Sequence, residues 1–246
     1  MIPCFKKAIR KEAGNIASLF ANIINSAIYL VSSVVLLLSF AYINQAQKIF
    51  SRNFLLCLFF GFQSATNVFW VLFTGIINYP FVRIAHEDEK YFLYPRYVLT
   101  AIILDSITIF DVPLFIINYC LFLFFGFEEQ LNVLLILVPF FGALVLASCF
   151  IFLASLIFKT RIFQNAFDLI FMIMEMAQYP TAIYPLPIKI VLVLLPLSVV
   201  CYWPLYFLLQ NKFLLFVAML SVATLLFIFS ALVFTDFAKK RNEIFE

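Results

Sequence analysis

"AQYPTAIYPLPIKIVLVLLPLSVVCYWPLYFLL", residues 177–209, carries five of the chain's ten prolines in an otherwise apolar setting: Pro180, Pro185, Pro187, Pro196 and Pro204. A proline inside a helix removes a hydrogen bond and clashes with the preceding turn, at a cost of about 3 kcal/mol. Whether this stretch crosses a membrane or turns back decides the number of crossings, and with it the fold.

Around it the chain is equally apolar, with a hydrophobic fraction of 65% and a charged fraction of 12%. Soluble domains hold about 25% charged residues, which excludes that class. Uncharged runs cover 16–43, 53–82, 130–158, 190–211 and 213–235. Each exceeds the roughly 20 residues that a helix needs to cross a hydrocarbon core of about 30 Å. A sixth candidate, 112–127, is shorter and follows the apolar approach "YVLTAIIL" at 97–104; a seventh, 162–178, is interrupted by Asp168 and Glu175. The reading is an all-α polytopic membrane protein in which 1–246 form a single transmembrane domain, with membrane lipid as its surround. Residues 1–15 are basic and precede the first run, which is longer than a signal peptide's apolar core; they are expected to form an interfacial N-terminal helix. Basic residues flank spans instead of forming a groove, so nucleic acid is not an expected partner.

Lysine and arginine in short loops favour the cytoplasmic side. Lys6, Lys7, Arg10 and Lys11 precede the first run, and Lys239, Lys240 and Arg241 follow the last. Both termini are therefore expected to be cytoplasmic, which requires an even number of crossings. Starting inside, Arg83, Lys90, Arg96, Lys159 and Arg161 also fall inside. Only Lys48, Arg52, Lys189 and Lys212 fall outside. Of the seven candidates one must then fail to cross, and the proline-rich one fits. Irregular backbone at membrane depth is tolerated where protein buries it or a watery cavity borders it. The expectation is six transmembrane helices with an external re-entrant helical hairpin at 185–209, between spans five and six. "PIKIVLVLL" goes in, Pro196 marks the turn, and "SVVCYWPLYFLL" comes out. A single kinked span is the competing reading.

This layout resembles the permease half of a type-2 ABC transporter. The specific resemblance lies in "QYPTAIYPLPIK" and "LPLSVVCYWPLYFLL", which are similar to a bacterial exporter subfamily. That subfamily has a Tyr-Pro, a second Tyr-Pro, then Pro, an aromatic and Pro-Ala-Leu before the last span. Here the Ala position is Leu205, and Trp203 precedes Pro204. The resemblance implies a multi-pass permease of the bacterial cytoplasmic (inner) membrane, paired with a second copy or a paralogue. It moves a hydrophobic or amphipathic substrate out of the cell by alternating access. It also implies ABC ATPase subunits as partners, which bind ATP and Mg; no cofactor is expected in this chain, and it is not expected to be an enzyme. By the same resemblance 78–96, "NYPFVRIAHEDEKYFLYPR", is the cytoplasmic segment that couples to the ATPase. Its charged residues are Arg83, His86, Glu87, Asp88, Glu89, Lys90 and Arg96. The external end of the pathway would be gated by Pro180, Pro185, Pro187, Pro196, Tyr202, Trp203, Pro204 and Tyr206.

Other chemistries find little support. The phosphate loop needs two glycines five residues apart, and Gly14, Gly61, Gly75, Gly126 and Gly142 are all further apart than that. His86 is the single histidine, and no C-x-x-C occurs among Cys4, Cys57, Cys120, Cys149 and Cys201. A converging zinc set or an intramembrane Ser–His hydrolase is therefore disfavoured, and no metal is expected. Asp105 and Asp111 precede the shortest run and suit a cytoplasmic approach helix. Asp168 and Glu175, seven apart, share a helix face and are possible pathway-lining groups. Ion or proton coupling through them defines the alternative, a secondary transporter. No internal repeat of the kind common in that class is visible.

Overall fold

The computed structural model describes residues 50–85, 112–160, 166–181, 184–194 and 196–242, with nine scattered helical residues between 24 and 42. Helices joined by turns and short irregular links make up these residues, with no strand among them. In chain order they are α1 (Arg52–Ala85), α2 (Val112–Glu128), α3 (Val138–Thr160), α4 (Ala166–Ala177), α5 (Leu186–Leu194), α6 (Tyr202–Leu209) and α7 (Phe213–Asn242). A 3-10 turn at Val133–Leu137 leads into α3, and another at Leu197–Val199 lies between α5 and α6. Among the described residues three stretches are long and apolar enough to cross a membrane: Arg52–Phe73, Val133–Ser155 and Phe213–Asp236. The expected first span lies largely, and residues 86–111 wholly, outside the described residues.

Pro80 lies within α1, but the other described prolines fall at or between helix ends. Pro113 and Pro139 are the second residues of α2 and α3, Pro187 the second of α5, and Pro204 the third of α6. The first turn of a helix has N–H groups without intrahelical partners, so a missing N–H costs nothing there. Pro180 and Pro185 lie between α4 and α5, and Pro196 lies between α5 and the following 3-10 turn. Thus 185–209 is not one continuous helix. Its two α-helical pieces have 9 and 8 residues. At 1.5 Å per residue they measure about 14 Å and 12 Å, less than half a hydrocarbon core.

Caps set the other boundaries. Ser51 Oγ accepts from the Phe54 amide at 3.0 Å and donates to the Glu129 carboxylate, tying the start of α1 to the end of α2. Gln130 (φ 58°) and Asn211 (φ 55°) adopt the left-handed conformation that ends helices. Beyond them the Leu131 amide donates to Gly126 O at 3.0 Å, and the Lys212 amide to Phe207 O at 2.8 Å.

Side-chain contacts fix the direction of each helix. Contacts pair Ser51 with Glu129, Cys57 with Gly126, Phe60 with Phe125 (rings stacked at 5.7 Å) and Gly61 with Phe122, one chain rising as the other falls, so α2 runs antiparallel to α1. Gly142 abuts Ala65, and Phe69 stacks on Phe150 at 4.9 Å, so α3 runs parallel to α1. α7 packs on α3, and Phe227 meets Phe73 edge-on at 5.8 Å. α6 begins beside Phe50 and Leu58 and is too short to reach the far end of α1. The start of α7 therefore lies near the N-terminal half of α1, and α7 runs parallel to it. The starts of α1, α3 and α7 gather at one end of the bundle. α1 is the buried centre: every residue from Phe54 to Phe60 is buried.

Candidate functional site

The proline-rich stretch plugs that end of the bundle. Leu197, Ser198, Val200, Cys201 and Leu205 are fully or almost fully buried. Irregular backbone must find its hydrogen bonds locally when water is excluded, and here it does. The Val199 amide donates to Pro196 O at 3.0 Å, Val200 to Leu197 O at 3.1 Å, and Leu205 to Cys201 O at 3.1 Å. Ser198 Oγ reaches back to Leu192 O at 3.5 Å, and Cys201 Sγ to Leu58 O of α1 at 3.6 Å.

Two glycines let this turn approach the helices. A Cβ on Gly142 would lie 2.5 Å from the Val200 carbonyl oxygen, and one on Gly61 would lie 2.7 Å from Cys201 Sγ. Only the missing side chains allow the turn to seat between α1 and α3. Neither glycine stands out in the sequence, because a close approach is a property of the tertiary partner.

An aromatic cluster continues outward from the turn. Tyr202 is 5% exposed, stacks on Tyr206 at 5.8 Å and meets Phe50 edge-on at 6.2 Å. Trp203 is partly buried and stacks on Phe207 at 5.7 Å. Thr181, also buried, lies beside the Tyr202 phenol. Gln63 Nε2 of α1 donates to Gln178 Oε1, just past α4, at 3.3 Å. Tyr184 Oη donates to Met176 O at 2.8 Å, and burial, with the neighbouring Tyr179, raises its pKa, so the phenol stays protonated. The turn is thus anchored to α1, α3 and the end of α4 at once.

Of the residues assigned to the gate, Pro180, Tyr202 and Pro204 are buried, Pro196, Trp203 and Tyr206 are partly buried, and Pro185 and Pro187 are exposed. Glu175 is exposed on α4 between exposed Met172 and Met176, and Asp168 lies two turns earlier on the same helix. Of the coupling residues, Arg83 lies within α1, which continues to Ala85. His86, Glu87, Asp88, Glu89, Lys90 and Arg96 lie outside the described residues, as do Asp105 and Asp111. Among the described residues no group of three or more His, Cys, Asp or Glu comes together as metal ligands do.

Residues 87–241 match a family model described as "ABC-2 family transporter protein". The match begins two residues after α1 ends and contains α2 to α7 except the last residue of α7. No curated protein and no solved structure matches the chain.

Proposed function

The chain belongs to the ABC-2 family of transporter proteins, which makes it a membrane-embedded permease component that works with an ABC ATPase, and from that premise we propose that it is an exporter subunit. It carries a hydrophobic or amphipathic substrate out of a bacterial cell, or out of the inner leaflet of the cytoplasmic membrane. It acts as a pair with a second copy or a paralogue, surrounded by lipid. The observation that carries this reading is the family match across 87–241.

In the proposed arrangement the whole chain is one transmembrane domain of six spans, with both termini in the cytoplasm. Residues 1–15 lie at the interface, and 185–209 form the external re-entrant element. Support comes from the basic residues. Arg52 and Lys212 adjoin the starts of α1 and α7, and Lys189 lies on α5, whereas Lys159, Lys239, Lys240 and Arg241 lie at the far ends of α3 and α7. More basic charge at one end favours that end as cytoplasmic.

ATP and Mg are bound and used by the partner ATPase. Its closure is transmitted through 78–96 to the bundle, while Gly142, Val200 and the Tyr202–Tyr206 stack hold the external end. The exposed carboxylate of Glu175 calls for a polar surround at membrane depth. A pathway shared with the second permease supplies one, with Asp168 on the same helix.

The expected result is that the tagged chain, extracted from its native membrane, brings down an ABC ATPase. ATP hydrolysis follows the complex and is absent from the isolated chain. If the chain alone, in sealed vesicles, transports on an imposed proton gradient without ATP, the secondary-transporter reading replaces this one.

A further inference from the structure

Two side chains in α1 and α2 each bury a polar atom without a hydrogen-bond partner: Nδ2 of Asn67 and Oδ1 of Asn118. Asn67 is 8% exposed and Asn118 3%. Each lies seven residues from one member of the Phe60–Phe125 stack, Asn67 after Phe60 and Asn118 before Phe125. Seven residues are close to two helical turns, and α1 and α2 run antiparallel. Both asparagines therefore fall on the flank marked by the stacked rings, at the same level of the interface. They do not bond to each other.

The unmet atoms are complementary: one only donates and the other only accepts. A group that satisfies both must accept one hydrogen bond and donate another. A hydroxyl does this. A carboxylate has no proton to give to Asn118, and an ammonium has no lone pair for Asn67. We propose that Asn67 and Asn118 together form a binding site for one hydroxyl group, supplied by a buried water or by a molecule that is extracted with the chain, that bridges α1 and α2. The inference rests on the packing of these two helices and stands independently of the transport reading.

The test uses opposite signs. If the amides are truly unsatisfied, replacing either with leucine removes a buried unmet atom and stabilises the chain. If a hydroxyl bridges them, Asn67→Leu or Asn118→Leu alone strands the other amide and lowers the unfolding temperature. The double variant Asn67→Leu/Asn118→Leu then recovers part or all of the loss. The full-length chain is measured by intrinsic fluorescence, in lipid discs cut from the native membrane and again after exhaustive delipidation in detergent.

Coupling between the two sites in both media identifies water. Coupling present in native discs and lost on delipidation identifies the hydroxyl of a co-extracted molecule. A single variant that fails to fold while the double variant folds also supports the bridge. Stabilisation by either single change, or a double variant as impaired as the two singles combined, overturns it.

Discussion

Replacing Gly142 with leucine is expected to unseat the proline-rich element and to abolish coupled transport while leaving the chain in the membrane. The reason is geometric. The first atom that any side chain adds at Gly142 meets the Val200 carbonyl oxygen at 2.5 Å and Ala65 Cβ at 2.9 Å. A backbone oxygen cannot rotate away as a side-chain tip can. Overpacking of this kind costs about 1–3 kcal/mol, and more where the backbone must shift. Gly126 provides the contrast. A Cβ there lies even closer to a neighbour, but the neighbour is Leu135 Cδ2, the end of a flexible side chain. Gly142→Ala should therefore lower the unfolding temperature more than Gly126→Ala does. Trp203 lies in the displaced element and stacks on Phe207, so a change in tryptophan emission should accompany Gly142→Leu. Equal stability of the two alanine variants would remove Val200 seating as the cause.

The second large effect is expected from reversing two charges at the other end. The apolar part of α1, Arg52–Phe73, has 22 residues. It measures about 33 Å, enough for the hydrocarbon core. The helix has 34 residues in all, so its last part continues roughly 18 Å beyond at 1.5 Å per residue. Arg83 rides on that extension, and Arg96 follows in the same proposed coupling segment. Interface arginines that anchor a partner are worth about 2 kcal/mol or more each. Arg83→Glu/Arg96→Glu should then weaken retention of the ATPase by about thirtyfold if one arginine anchors it and about a thousandfold if both do, with membrane insertion intact. Retention and coupled hydrolysis at the unsubstituted level would count against 78–96 as the coupling element.

Much of the bundle was legible because hydropathy and proline act locally. The runs 130–158 and 213–235 correspond to Val133–Ser155 and Phe213–Asp236, and the break near Pro196 falls between α5 and the next 3-10 turn. The first part of the expected coupling segment, 78–85, is the last part of α1, which continues to Ala85 through Pro80. What holds the proline-rich element in place was not legible. Gln63 and Gln178 pair across 115 residues of sequence, and no periodicity marks either as a partner. Gly61 and Gly142 serve the turn through an absent Cβ, which only the seated Cys201 and Val200 make meaningful. Asn67 and Asn118 read as polar residues scattered in apolar runs until the helices are placed side by side.

Impermeant thiol labelling of Lys189→Cys, Gln210→Cys and Glu243→Cys in intact cells, each against the unsubstituted chain, tests the six-span arrangement most directly. Lys189 and Gln210 lie on either side of the break at Pro196, on α5 and just after α6. The account predicts that both label from outside and that position 243 labels only after permeabilisation. Labelling of one of the pair but not the other would mean that 185–209 crosses the membrane, and both the even count of spans and the external gate would fall with it.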